Sequence, residues 1–176
     1  MDRSVRILRS MTAPHEPQLE QFRALTLFAG PPDTVRAVRK MVRSALDDWS
    51  LGVLAEDAQL CVSELVANVI QYAIPDESLA VPDAPRRIDV TLRKWPQWLF
   101  IGVTDEDHWP PTFPLEELFS PELASGLPEA VLSEGGRGLL IVQRLADGLW
   151  WSPEEQGGKT VYFRFDLVER GLDGRT

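Results

Sequence analysis

The sequence predicts an α+β protein, a two-layer α/β sandwich in which a mixed, largely antiparallel sheet carries helices on one face. Two segments, 34–49 and 56–73, repeat apolar residues at helical spacing. Four other runs alternate apolar and polar residues with period two, as strands half-buried on one face do. Glycine- and proline-rich turns separate these segments, and no repeat or interdomain linker interrupts them. With 176 residues the chain fits one domain, able to bury roughly 70% of the surface its unfolded form would expose.

Residues 1–20 are polar, contain Pro14 and Pro17 and show no period, so they form a poorly ordered leader to a domain over 21–170, with a tail over 171–176. "FRALTLFAG" is the first strand, with Leu25, Leu27 and Ala29 alternating, and "GPP" ends it. Asp33 or Thr34 can cap a helix over 34–49, where Val35, Val38, Val42, Ala45, Leu46 and Trp49 recur at helical spacing. "SLG" breaks that helix. A second runs from Glu56 to Ala73 with Ala58, Cys61, Val62, Leu65, Val69 and Tyr72 on one broad face.

Three prolines and several acids make 74–87 a loop. "RIDVTLR" and "WLFIGVTD", separated by "KWPQ", read as a β-hairpin. Residues 106–133 are rich in Pro and Glu, with a short helical turn possible at "LEELF". "GGRGLLIVQRLAD" is a glycine-rich turn running into a helix, and "LWW" and "KTVYFRFDL" close the sheet as an antiparallel pair joined by "SPEEQGG".

Composition narrows the function. The 44% hydrophobic and 26% charged fractions are those of an ordinary soluble globular protein. A net charge of −9 argues against general attraction to nucleic acid or to an anionic membrane. One cysteine, Cys61, cannot form an internal disulfide, and with two isolated histidines it suggests no metal site. With no signal peptide and no apolar run long enough for a bilayer, a cytoplasmic location is expected.

Four short stretches can carry chemistry. In "CVSELVANVI" Glu64 and Asn68 lie four residues apart, one turn apart on one side of a helix. The amide oxygen of Asn suits Mg²⁺ when ligand phosphates and water complete the shell, and a neighbouring carboxylate can accept a hydroxyl proton. The plainer alternative is a polar edge on an amphipathic helix. Asp105 in "VTDED" ends a strand, where its carboxylate can accept a hydrogen bond from the exocyclic amine of adenine; otherwise it is an acidic turn. In "EGGRGLLIV", Gly135, Gly136 and Gly138 permit positive φ and close backbone approach before a helix start, a setting for phosphates. Arg137 adds a charge for them, although an unliganded tight connection fits the same letters. In "GGKTVYF", Thr160 can bond the same adenine edge or Asp105, or simply suit a strand.

Taken in order, E-L-V-x-N on a helix, V-x-D at a strand end, G-G-R-G-L before a helix and G-K-T-V on the last strand resemble the GHKL (Bergerat-fold) ATP-binding superfamily. More narrowly, the chain resembles bacterial anti-sigma-factor serine kinases and related actinomycete regulators, from about Leu25 to Leu167 and including "LDDWSL". The resemblance implies ATP and Mg²⁺ as cofactors. It makes Glu64 the catalytic base, Asn68 the Mg²⁺ ligand and Asp105 the adenine-recognising aspartate. It assigns Gly136, Arg137 and Gly138 to phosphate support, Thr160 to the base and 106–133 to a lid.

One departure stands out. The superfamily usually has D-x-G-x-G after the strand, whereas "DEDHWPP" has no glycine and adds acidic residues, repulsive toward a triphosphate. Members of the actinomycete branch often lack these glycines. His108 and Trp109 can stack on the base or close the lid, or simply be exposed loop residues.

The resemblance implies a regulatory ATP-dependent protein-serine kinase whose partners are a sigma factor or a small antagonist protein, with the homodimer common among the related kinases as the assembly it suggests. The alternative is an interaction module with the same fold and weak or lost ATP binding. The catalytic half of a sensor histidine kinase ranks below both, because neither His15 nor His108 lies on a dimerising helix.

Overall fold

The computed structural model describes residues 18–30, 33–74, 85–111 and 134–174, with backbone alone for 134–137. Most of the expected leader, most of the 74–87 loop, the helical turn at "LEELF" and the lid beyond residue 111 lie outside the described residues.

The elements run β1 (Gln21–Phe28), α1 (Thr34–Asp48), a 3₁₀ turn (Gly52–Leu54), α2 (Ala55–Tyr72), β2 (Arg87–Lys94), β3 (Trp98–Asp105), α3 (Glu134–Leu145), β4 (Gly148–Pro153) and β5 (Lys159–Asp166). The strands form one sheet in the order β1-β2-β3-β5-β4, and every pairing is antiparallel. No parallel pair occurs among the described residues, so the sheet is simpler than the mixed one expected.

Strand alternation builds the core. Ile88, Val90 and Leu92 of β2, Leu99, Ile101 and Val103 of β3, and Val161, Phe163 and Phe165 of β5 are buried on one face. α1 packs over β1 and β2, and α2 lies between α1 and α3 and reaches β3. Val38, Val42, Ala45 and Leu46 of α1 are fully buried, as are Ala58, Cys61, Val62 and Val66 of α2. Each such Val or Leu contributes about 1.5–3 kcal/mol of transfer free energy. The opposite sheet face carries an aromatic group in which Trp150 stacks on Tyr162 at 5.5 Å and Phe100 meets Trp150 edge-on at 5.8 Å.

Helix ends show how local chemistry sets the frame. Asp33 is the α1 N-cap but makes no side-chain cap hydrogen bond. The Thr34 hydroxyl instead donates to the Phe28 carbonyl at 2.9 Å, tying the helix start to β1. α1 stops where Ser50 takes φ 60°, a left-handed turn that lets the Leu51 amide reach the Leu46 carbonyl. α2 has no basic residue in its last turn. Arg86 supplies the charge from outside, donating to the Ala73 and Ile70 carbonyls at 2.5 and 2.7 Å. α2 is thereby fixed at the end nearer Asn68.

Candidate functional site

Glu64 and Asn68 sit on the turn of α2 that faces α3. Cys61, Leu65, Val66 and Val69 are buried around them and anchor this part of the helix. Glu64 and Asn68 themselves are half-buried, and neither makes a hydrogen bond or ion pair to any described residue.

Gly138 explains what faces them. A Cβ placed on Gly138 would lie 2.9 Å from Glu64 Oε2 and 3.4 Å from both terminal atoms of Asn68. The absence of a side chain at 138 therefore lets the backbone of α3 lie close against the carboxylate and the amide. Close approach is the reason for this glycine; the left-handed φ that the sequence also allowed does not occur at Gly138. Gly135 and Gly136 belong to the first turn of α3 rather than to a preceding turn. Their backbone amides are those that a helix leaves without internal acceptors, the usual seat for an anion. The Arg137 side chain lies outside the described atoms.

Asp105, on the core-facing side of β3, is 5% exposed and stands opposite Lys159 in the β3–β5 ladder. Lys159 Nζ donates to Asp105 Oδ1 at 3.0 Å, to Asp107 Oδ2 at 3.0 Å and to the Asp107 carbonyl at 3.1 Å. Its three protons are all used. Asp105 Oδ1 also accepts the Asp107 amide at 2.9 Å, and Asp107 Oδ1 accepts the Trp109 amide at 3.0 Å, so the loop after β3 is wound through two successive side-chain turns. No described donor reaches Asp105 Oδ2. Burial raises the Asp105 carboxyl above its ordinary value, against the pull of Lys159 and the Asp107 amide.

Thr160 does not join this group. It pairs with Thr104 in the ladder, and the two hydroxyls are hydrogen-bonded at 2.7 Å, with the Glu154 carboxylate also accepting from Thr160. Successive residues of a strand point to opposite faces, so Thr160 and Asp105 lie on different sides of the sheet. Of the roles open to Thr160, a bond to Asp105 does not occur; Lys159 holds Asp105 instead. The parity of Val161, Phe163 and Phe165 could have shown this, since it puts Lys159 on the core face. Gly158 makes the pairing possible. Its φ is +85°, and a Cβ there would lie 2.1 Å from the Asp105 carbonyl oxygen.

His108 and Trp109 lie against each other at 5.0 Å, and Trp109 is 62% exposed, as an open loop residue would be. Cys61 is sealed in the core, and burial, with the nearby Asp57 charge, pushes its thiol up to about 12. It stays protonated and supplies no nucleophile.

A sequence model described as "histidine kinase-like ATPase domain" matches residues 28–165, most of the chain. The chain belongs to this family. No curated protein matches it significantly. A histidine kinase-like ATPase domain implies ATP, and the residues present fit that ligand: Glu64 and Asn68 lie beside the start of α3 without a hydrogen-bond partner among the described residues, and no described donor reaches one oxygen of Asp105. The α+β architecture with a five-stranded antiparallel sheet is that expected of the superfamily. No helix among the described residues is long and apolar enough to cross a membrane.

Proposed function

We propose that this ATPase-family chain is a regulatory protein-serine/threonine kinase of the anti-sigma-factor type, transferring phosphate from ATP to a small antagonist protein. The observation that carries this reading is the trio of Glu64, Asn68 and Gly138: the missing Cβ lets the start of α3 lie against two polar side chains that have no partner among the described residues. Bound Mg-ATP would supply the phosphoryl group and the cation's charge neutralisation. Asn68 would hold Mg²⁺ through its amide oxygen. Among the described residues no three His, Cys, Asp or Glu side chains cluster as a metal cage, so ligand oxygens and water would complete the shell. Glu64 would accept the proton of the substrate hydroxyl. Asp105 would accept a hydrogen bond from the adenine amine and reject guanine, which offers a carbonyl there. The first-turn amides of α3 at Gly136 and Arg137 would support phosphates. On this reading the partners are a sigma factor and its antagonist, the protein works in the cytoplasm, and a homodimer is the form to look for.

A second reading has its own support. Where the superfamily has glycines, the chain has Asp107, tied to Lys159 and Trp109, and this acidic loop suits an interaction module with weak or lost nucleotide binding. Calorimetric titration with Mg-ATP separates the two: absence of binding heat at millimolar nucleotide rejects the kinase. In the kinase, Glu64→Ala keeps ATP affinity within a few-fold and lowers phosphoryl transfer by about 10²–10⁴-fold. Unchanged transfer in that variant rejects Glu64 as the base.

A further inference from the structure

We propose that Lys159 is a positioning residue of the nucleotide site, doing by ion pairing what a glycine box does by backbone freedom, and that it acts through Asp105. The inference rests on the ATP-binding reading above and adds to it a residue and a task.

Three features of the geometry point the same way. Lys159 is 6% exposed and spends every proton on Asp105 and Asp107, so it has none left for a ligand. Its role must be exerted on those two residues. Second, the two oxygens of Asp105 are divided: Oδ1 takes Lys159 and the Asp107 amide, while Oδ2 has no described donor. A carboxylate held by one oxygen presents the other at a fixed angle, which is what recognition of a flat amino group requires. Third, Asp107 occupies the first position at which the D-x-G-x-G pattern has glycine, and Lys159 grips both its carboxylate and its carbonyl. The ammonium therefore fixes the course of the loop as well as the carboxylate before it.

Charge makes the arrangement conditional on Lys159. Among the described residues, the charged groups facing Asp105 are Lys159 from β5 and Asp107 from the loop. Glu106 turns away to accept the Arg87 amide at 3.2 Å. Without the ammonium, two buried carboxylates would share one site, and Asp105 would titrate higher still. Protonation of Asp105 weakens it as an acceptor for the adenine amine.

The test is calorimetric titration of the full chain with Mg-ATP and Mg-GTP, from about pH 6 to about pH 8.5, so that protonation of Asp105 reads as a loss of ATP affinity toward acid. Wild type, Lys159→Met, Asp105→Asn and the double variant are compared. Wild type is expected to prefer ATP. Lys159→Met is expected to bind ATP about tenfold more weakly near pH 6 and to recover to within about threefold near pH 8.5. The double variant is expected to be no weaker than Asp105→Asn, because Lys159 acts through Asp105. If circular dichroism shows Lys159→Met unfolded, Lys159→Met/Asp107→Asn, with one buried charge fewer, takes its place with the same expectation.

Wild-type affinity in the Lys159 variant at every pH overturns the inference and leaves the ATP reading standing. A loss that is independent of pH and additive with Asp105→Asn overturns it too, since a merely structural lysine gives that result. A wild-type chain that binds neither nucleotide overturns the ATP reading, and the inference with it.

Discussion

Gly138→Ala separates the stability of the fold from the function of the site. In a helix, Ala is favoured over Gly by about 0.5–1 kcal/mol, and α3 should gain that much. Against this, the new Cβ lies 2.9 Å from Glu64 Oε2. Ordinary contact needs the carboxylate to retreat by roughly half an ångström. Its side chain would leave its preferred rotamer at a cost of about 0.5–1.5 kcal/mol. The two effects nearly cancel, so the variant should unfold within about 1 kcal/mol of wild type, a few degrees at most in Tm. The proton-accepting role proposed for Glu64 has no such compensation. An ångström of misplacement costs about 10²-fold, so half of that should lower phosphoryl transfer from Mg-ATP by about tenfold. Thermal unfolding and single-turnover transfer measure the two sides. Adding Glu64→Ala removes the collision and should expose the full helix gain of about 1 kcal/mol. Wild-type transfer in Gly138→Ala would refute the idea that this glycine guards the Glu64 carboxylate. Loss of more than about 3 kcal/mol would show that position 138 is a packing position instead.

Gly158→Ala should be far more costly, because φ of +85° and a Cβ 2.1 Å from a backbone oxygen cannot both be relieved by a side-chain move. Denaturant titration should show a loss of about 3 kcal/mol or more, and a loss under about 1 kcal/mol would contradict the geometry. Asp147 accepts two hydrogen bonds from Arg170, which hold its carboxyl below the ordinary carboxylate range. Because the pair is partly exposed, Asp147→Asn should cost only about 1 kcal/mol at neutral pH. A lowered native pKa gives stability that is present above the unfolded value of about 3.9 and lost as pH falls through the native value. Wild type and variant should therefore converge in acid, and a gap as wide at about pH 2 as at neutral pH would exclude the assignment.

Much of the architecture was legible because apolar spacing is a physical cause of it. Val38, Val42 and Leu46 in α1, and Cys61, Leu65 and Val69 in α2, each mark a buried stripe, and the structure buries all six. The Glu64–Asn68 pair was legible for the same reason, since four residues make one turn. What spacing does not carry is parity at a strand end and the contacts of a missing atom. Lys159 and Thr160 are adjacent and both polar, and only the register set against β3 decides which faces Asp105. The glycines before α3 read as a turn, yet they fall inside the helix, and Gly138 is explained by the neighbours on α2 that no local pattern reveals. The α1 cap falls at Asp33, one of the two positions the sequence offered, but the side-chain tie is made by Thr34 to β1, a partner six residues upstream that no local pattern reveals.

The sheet order has a consequence for synthesis. β5 lies between β3 and β4, although both are made before it. Until residues 159–166 emerge, those two strands show each other unpaired edges, the kind of surface that invites misassociation. Translation adds about 5–20 residues each second, so the nascent chain holds its helices and the β2–β3 hairpin for a time with Asp105 lacking its counter-charge. The Lys159–Asp105 pair is therefore completed late, and a chain stalled before Lys159 would have its Glu64 and Asn68 but would leave the end of β3 without the ion pair that winds its loop.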